Sequence, residues 1–203
     1  MAPLPRSRTA DTAQRTLDVA ERLVQTRGYN AFSYADIAAE LHISTASLHY
    51  HFPTKAALGE ALITRYATRF AAALDAIDRD LVDAQAKLRA YVEIYTGVLA
   101  DDRMCLCGTL AAEYATLPTA MADSITRFFQ SNETWLTRVL EEGKADGSLS
   151  PDLAAAEAAQ TILSALEGAM LIARTYGGVA RFETSAKHLL ASVFQSAVPN
   201  ARR

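Results

Sequence analysis

The stretch FSYADIAAELHISTASLHYHFPTK, residues 32–55, decides how the chain is read. Ser33 stands where a helix begins, with a hydroxyl able to cap free backbone amides, and Ile37, Ala38 and Leu41 follow at the spacing of one apolar helix face. Ser44 repeats the capping signal. The helix it opens, Thr45 to His51, keeps Leu48 and Phe52 on one side and leaves Thr45, Ala46, Ser47, His49, Tyr50 and His51 for solvent or a groove. Two short helices across a tight turn, ending in a cluster of rings, form the pattern of a helix-turn-helix DNA reader.

Short helix pairs are common in all-helical proteins, so a helical scaffold that never meets DNA is a competing reading. The composition of the second helix favours DNA. Its small hydroxyl and methyl groups leave room for base edges, and its three rings can donate to phosphate oxygens. Lys55 follows the Pro53 break and a Thr54 cap, where its ammonium and the first helix amides are expected to face a phosphate.

These residues also carry a family resemblance. Gly28-Tyr29, Ser33, Asp36-Ile37-Ala38, Ile43-Ser44, Leu48-His49-Tyr50-His51-Phe52 and Lys55 stand in the order found in the N-terminal domain of the tetracycline-repressor (TetR) family, and the run from Thr12 to Leu58 resembles that domain. The resemblance implies an all-α protein with a DNA-binding domain at 1–54 and an effector-binding and dimerisation domain at 55–203. It further implies a homodimeric transcription regulator, in most such proteins a repressor, on a palindromic double-stranded DNA operator. Two positions depart from the family pattern. His42 stands where Gly is common in the turn and must accept a left-handed backbone at some steric cost. His49 stands where Tyr is usual, which exchanges a phenol for an imidazole whose charge varies near neutral pH and predicts a mild pH dependence of operator affinity.

The bulk properties agree. The chain has 203 residues, half of them hydrophobic, enough for a sizeable core, and a net charge of −3 that is unevenly spread. Up to Arg65 seven basic residues stand against six acidic ones, and beyond it thirteen against seventeen, so the acidity belongs to the C-terminal part. Arg6, Arg8 and Lys55 are the cations expected near phosphates. Apolar runs long enough to span a membrane and a signal-peptide core are both absent from the sequence, and two cysteines are too few for a disulfide framework. A cytoplasmic location with no membrane partner is expected.

Ala13, Leu17, Ala20, Leu23 and Val24 stripe a first helix from about Thr9 to Arg27, closed by Gly28. A fourth starts near Lys55 and runs past Leu74, long enough to leave the small domain and enter the next. Further helices are predicted near Ala84–Ala100, Cys105–Ala115, Thr119–Asp146, Pro151–Tyr176 and Phe182–Val198, with Pro151 in a first helical turn. The last two carry apolar residues on more than one face. By the family resemblance they pair with a second copy, through Ile162, Leu166, Ala169 and Ala173 on one and Leu189, Val193 and Phe194 on the other; the alternative is an internal hairpin.

No catalytic set emerges, and no cofactor or metal is expected. Three of the four histidines lie in the DNA reader, and the chain has neither a Gly-rich phosphate loop nor a nucleophile elbow. Cys105 falls beside Arg103 at an expected helix start, where a thiolate is favoured, and Cys105-Leu106, Leu110, Ala112 and Glu113 resemble a subgroup of the same family that responds to N-ethylmaleimide. Two readings stay open: a sensing thiol, or a small buried hydrophobe. A cysteine-dependent redox enzyme is the rival outside the binding proteins. For a small hydrophobic effector, Tyr66, Phe70, Tyr91, Tyr95, Leu110, Tyr114, Phe128, Trp135 and Met170 are spaced to face inward, with Glu113 and Arg174 as polar contacts.

Overall fold

The computed structural model describes residues 8–194, and among them the regular structure is helical. In chain order the helices are α1 (Arg8–Arg27), α2 (Tyr34–Leu41), α3 (Thr45–His51), α4 (Lys55–Asp80), α5 (Ala84–Ala100), α6 (Leu106–Ala112), α7 (Thr119–Asp146), α8 (Ala155–Thr175) and α9 (Val179–Ala191). A 3-10 turn, Tyr114–Thr116, joins α6 to α7. The expected all-α class holds, and α3, α5 and α7 have the bounds predicted for them.

Three helices differ from expectation at their ends. Cys105 caps α6 rather than lying inside it, and the segment tightens into the 3-10 turn after Ala112. Pro151 precedes α8 instead of opening it, because the helix is started by Glu157, whose carboxylate accepts the Ala154 N–H at 3.3 Å. The last helix begins earlier, at Val179 after Gly177 and Gly178, and stops at Ala191. There the backbone turns so that Ser150 N–H donates to Val193 O at 3.0 Å, and Leu149 bridges to Phe194. The remainder of that expected helix, to Val198, lies outside the described residues.

By its internal packing the chain divides into two units, Met1–Arg69 with Arg103–Arg127, and Phe70–Asp102 with Phe128–Arg203. The linear boundary at 54/55 is therefore not the one that packing follows. In the first unit Gln25 and Met104 exchange two hydrogen bonds, side-chain amide to carbonyl at 3.0 Å and backbone amide to carbonyl at 3.2 Å, which tie the segment before α6 to α1. The first half of α4 is held to α1 by Glu21, a nearly buried carboxylate that pairs with both Arg65 and Arg69. Leu23, Ile37, Leu48, Leu58 and Leu62 fill the space between, all fully or almost fully buried.

The second unit packs Leu88, Tyr91, Leu136, Leu140, Leu166 and Phe182 into its core. At its edge Asp78, Lys87, Arg138 and Glu142 form a closed ion network, with Lys87 Nζ at 3.1 Å from Asp78 and 3.0 Å from Glu142. Trp135 Nε1–H donates to Asp78 at 2.9 Å. Burial pushes the Asp78 carboxyl up, but the bonds from Trp135 and Lys87 and the charge of Arg138 outweigh it and hold the group below its ordinary value. Glu142 is likewise held low by Lys87 and Arg138 against its burial. A carboxyl depressed by folding stabilises the native state above its unfolded pKa and loses that contribution as pH falls through the folded one. Asp78→Asn should therefore cost on the order of 1 kcal/mol at neutral pH, with solvent screening included. The difference from the parent should begin to shrink as pH drops below the ordinary carboxylate value of about 4 and close only below the depressed folded value, where Asp78 in the parent is protonated as well. Urea midpoints of both proteins across that range measure it, and a gap that stays constant would remove Asp78 from the acid response.

Candidate nucleic-acid interface and effector core

The helix-turn-helix is built around one unusual backbone position. His42 ends α2 at φ 54, ψ 45, in the left-handed region, and Ile43 N–H reaches back to Ala38 O at 3.1 Å. The turn expected there is formed, with His carrying a conformation that Gly adopts more easily. Ser44 Oγ accepts from Ser47 N–H at 3.2 Å and starts α3, while Leu48 is fully buried beneath it. Ser33 acts differently from the expected hydroxyl cap. Its hydroxyl and its backbone N–H both donate to Asp36, at 2.6 and 2.7 Å, and these bonds hold the Asp36 carboxyl below its ordinary value.

On α3 the side chains of Thr45, Ala46, His49 and Tyr50 are exposed, Tyr50 to 77% with its ring edge-on to His51, and Ser44 at the cap is exposed as well. Ser47 and His51 are half-buried. The far end of the helix is fastened by a residue that sequence reading passed over. The Tyr34 hydroxyl lies 2.7 Å from Phe52 O and 2.8 Å from Thr54 O and shares its proton between them, and burial, with a smaller contribution from Tyr29, pushes its pKa up to about 12. His49 rests against the Tyr34 ring at 4.6 Å, with Nδ1 3.2 Å from Pro53 O.

Lys55 is a correction. Its ammonium, expected at a phosphate, is turned inward, donating to Phe32 O and lying over the Phe32 and Tyr29 rings at 4.4 and 4.6 Å. The carbonyl and the ring faces replace water around the charge. Burial lowers its pKa against the opposing pull of Glu113 and Asp36. Arg6 lies outside the described residues.

The expected effector residues divide between the two units. In the second, Phe70, Tyr91, Tyr95, Phe128 and Trp135 form one aromatic cluster, with Phe70 edge-on to Phe128 at 5.2 Å and Tyr91 stacked on Trp135 at 5.5 Å. Inside it Tyr91 OH donates to Asn132 Oδ1 at 3.0 Å and thereby accepts from Tyr95 OH at 3.1 Å, a polar chain in an apolar shell. Met170 is fully buried in this unit, while Arg174 is exposed. In the first unit Leu110 is buried, and Cys105, 1% exposed, accepts from Gly108 N–H at 3.4 Å and from Tyr66 OH at 3.6 Å. Tyr114, expected to face inward, sits on the 3-10 turn and is 53% exposed.

Glu113 is likewise not turned to a ligand. Its Oε2 accepts the Asn30 N–H at 2.9 Å, and Asn30 Nδ2 donates to Thr116 Oγ1 at 2.8 Å. Oε1 lies 2.2 Å from where a Cβ on Gly28 would stand, and Gly28 has φ +96. Only glycine meets both demands, so the Gly that closes α1 also makes room for this carboxylate. Gly28→Ala should cost about 1–3 kcal/mol in a denaturation experiment. In a Glu113→Ala background the same change should cost less, since the clash is gone and only the backbone strain remains; strictly additive losses would rule out the clash.

Of the dimer residues expected from sequence, four are taken up by the protomer's own core. Ile162, Leu166, Ala173 and Val193 are buried within the protomer, Ala169, Leu189 and Phe194 are half-buried, and the Phe194 ring lies under Arg89 at 4.8 Å. The open apolar face of α8 lies elsewhere, at Leu171, Ile172 and the capping Tyr176, which are 57, 47 and 68% exposed, beside Gly168. Helix periodicity found the apolar stripes of α8 without telling which of them the protomer itself buries.

Comparison with known proteins matches both halves of the chain. The family model "Bacterial regulatory proteins, tetR family" fits residues 17–62, and "Tetracyclin repressor-like, C-terminal domain" fits residues 84–189. A TetR-family transcriptional regulator from Agrobacterium tumefaciens is 34% identical, with a TM-score of 0.89 over 92% of this chain and 100% of that one. A TetR transcriptional regulator from Legionella pneumophila is 31% identical, with a TM-score of 0.82 over 95% and 100%. The HTH-type transcriptional repressor DhaR of Mycobacterium sp. (strain GP1) is 24% identical over 191 residues, 92% of either chain. With its capped helix-turn-helix, its all-helical C-terminal part and these matches, the chain belongs to the TetR family of DNA-binding transcriptional regulators.

Proposed function

We propose that this regulator is a cytoplasmic, homodimeric repressor that holds a palindromic operator through α3 of each subunit and releases it when a small hydrophobic effector binds the C-terminal part. The observation that carries the DNA reading is the exposed surface of α3, where Thr45, Ala46 and Tyr50 stand free on a helix anchored at both ends. Thr45 and Ser47 are placed to meet base edges, and Ser33, Ser44, Tyr50 and His51 to meet the sugar-phosphate backbone. Lys55 serves as an internal strut beneath them. Likeness to the repressor DhaR supports repression rather than activation.

Association of two copies is supported by Leu171, Ile172 and Tyr176, a patch that one protomer leaves in water. Gly168 presents no side chain, and a Cβ there would meet nothing within 4 Å, so a second helix can approach closely. For the effector, the Tyr91–Tyr95–Asn132 chain within the aromatic cluster supports a mostly apolar molecule with one hydrogen-bonding group. Modification of Cys105 is the weaker trigger, because a cysteine only 1% exposed offers reagents little access. Reversing operator occupancy from about 99% to 1% requires about 5.5 kcal/mol of preference for the released state, more than one polar contact supplies and within reach of a filled apolar site.

A gel shift with the DNA upstream of the protein's own reading frame should show retardation at low salt that weakens steeply as salt rises. Tyr50→Phe should weaken binding evenly across sequences, whereas replacing Thr45 should change which sequences are preferred, by about 1–3 kcal/mol per base pair read. Failure of the parent to retard any upstream fragment, alongside a regulator that does, would sink the DNA reading. Leu171→Glu sits on the open face and leaves the core alone. It should convert dimers to monomers by light scattering, and a variant that stays dimeric would place the interface elsewhere.

A further inference from the structure

His49 combines two features that the operator reading does not use: it is exposed on α3, and one of its ring nitrogens is already committed. Nδ1 stands 3.2 Å from Pro53 O. A carbonyl oxygen only accepts, so Nδ1 must carry the hydrogen, and a neutral imidazole has one N–H. The neutral ring therefore keeps a bare lone pair on Nε2. Turning the ring over would set a carbon against Pro53 O and forfeit the bond, and the Tyr34 ring at 4.6 Å packs against the present orientation. Tyr34 is itself pinned by its hydroxyl to Phe52 O and Thr54 O, so the support is rigid.

The consequence follows from what DNA offers at this place. Recognition helices contact base edges mainly from their N-terminal residues, and His49 is one turn past Thr45 in a helix that ends at His51. The groups within reach of its far edge are phosphates, which only accept hydrogen bonds. A neutral His49 meets a phosphate with lone pair against anion. An imidazolium keeps the bond to Pro53 and gains a second N–H, with a positive charge, for the phosphate.

Resting on the DNA-binding reading above, we infer that His49 is a proton-linked operator contact: each subunit takes up one proton on Nε2 as His49 closes onto a phosphate, so operator affinity falls as pH rises. The titratable groups on the elements packed with it are Tyr34, Asp36, Glu40 and the capping His42 on α2, Tyr50 and His51 on α3, and Lys55 on α4. Tyr34 on α2 is hydrogen-bonded through its hydroxyl; Asp36 is bonded to Ser33, and Glu40 is paired with Arg22 on α1. On α3 itself His51, edge-on to Tyr50, is the second imidazole placed toward the backbone and makes His51→Gln the control, and Lys55 of α4 is turned to Phe32.

The test uses the full chain and an operator duplex taken from the retarded upstream fragment. Its dissociation constant is followed by fluorescence anisotropy from about pH 6 to about pH 8.5 at fixed ionic strength. The parent should weaken with rising pH, with a limiting slope of about tenfold per pH unit for each His49 in contact. His49→Gln and His49→Tyr carry a donor at every pH and should flatten the slope while retaining binding, whereas His51→Gln should keep it. A slope absent in the parent, or unchanged in His49→Gln, overturns the inference while leaving DNA binding intact. Independently of DNA, nitrogen NMR of the free protein above neutrality should find the His49 hydrogen on Nδ1; a ring protonated on Nε2 overturns the proposal directly. A parent that binds no duplex at any pH defeats the DNA reading and this inference together.

Discussion

A seven-residue helix has no stability of its own in water, and α3 is such a helix. Its position is set entirely by what holds it: Leu48 in the core below, Ser44 at its start, Tyr34 at the carbonyls beyond its end, and α1 and α2 behind. The hold on α1 therefore decides where α3 stands. Glu21 is central to that hold, because a carboxylate 7% exposed would be costly without partners, and Arg65 and Arg69 of α4 supply two. The Gln25–Met104 pair and the Asn30–Glu113 bond add a second attachment at the C-terminal end of α1. Both lie in one packed unit, which is why the segment Arg103–Arg127 groups with the helix-turn-helix despite its distance in sequence.

The N-terminal half was legible because its signals are local. The Ser44 cap, an apolar face at helical spacing and a left-handed turn residue are each read within a few neighbours, and the structure forms those elements with the expected bounds for α3. Where reading failed, the deciding partner was remote. Lys55 looks like a phosphate ligand until the Tyr29 and Phe32 rings and the Phe32 carbonyl are brought beside it, the last twenty-three residues away along the chain. Glu113 looks like a buried ligand contact until Asn30, eighty-three residues away, claims it. Periodicity has no access to either distance.

The two faces of α8 pose a different problem. Helical spacing finds apolar stripes, and α8 carries two: one from Ile162 through Leu166 and Met170 to Ala173, and one at Leu171 and Ile172. A helix apolar on more than one face must bury one stripe internally and present the other, and sequence alone does not say which. The larger, more continuous stripe packs inside the protomer. The shorter one, next to Gly168, stays exposed on the protomer.

Operator binding by two subunits demands that a pair of α3 helices match a groove repeat of about 34–36 Å, and small rotations of either spoil the match. Nothing inside α3 can supply that precision. It must come from α4, continuous from Lys55 to Asp80, and from the α6 segment, since these are bonded to α1 by charged and reciprocal hydrogen bonds. The bonds that fix the recognition helix are for that reason the ones through which it can be moved. An effector need not touch the helix-turn-helix at all. On the proposed reading it need only favour a position of α4 or of the α6 segment that α1 must follow, and at Gly28, where the Glu113 carboxylate fills the room a side chain would take, that joint leaves little slack.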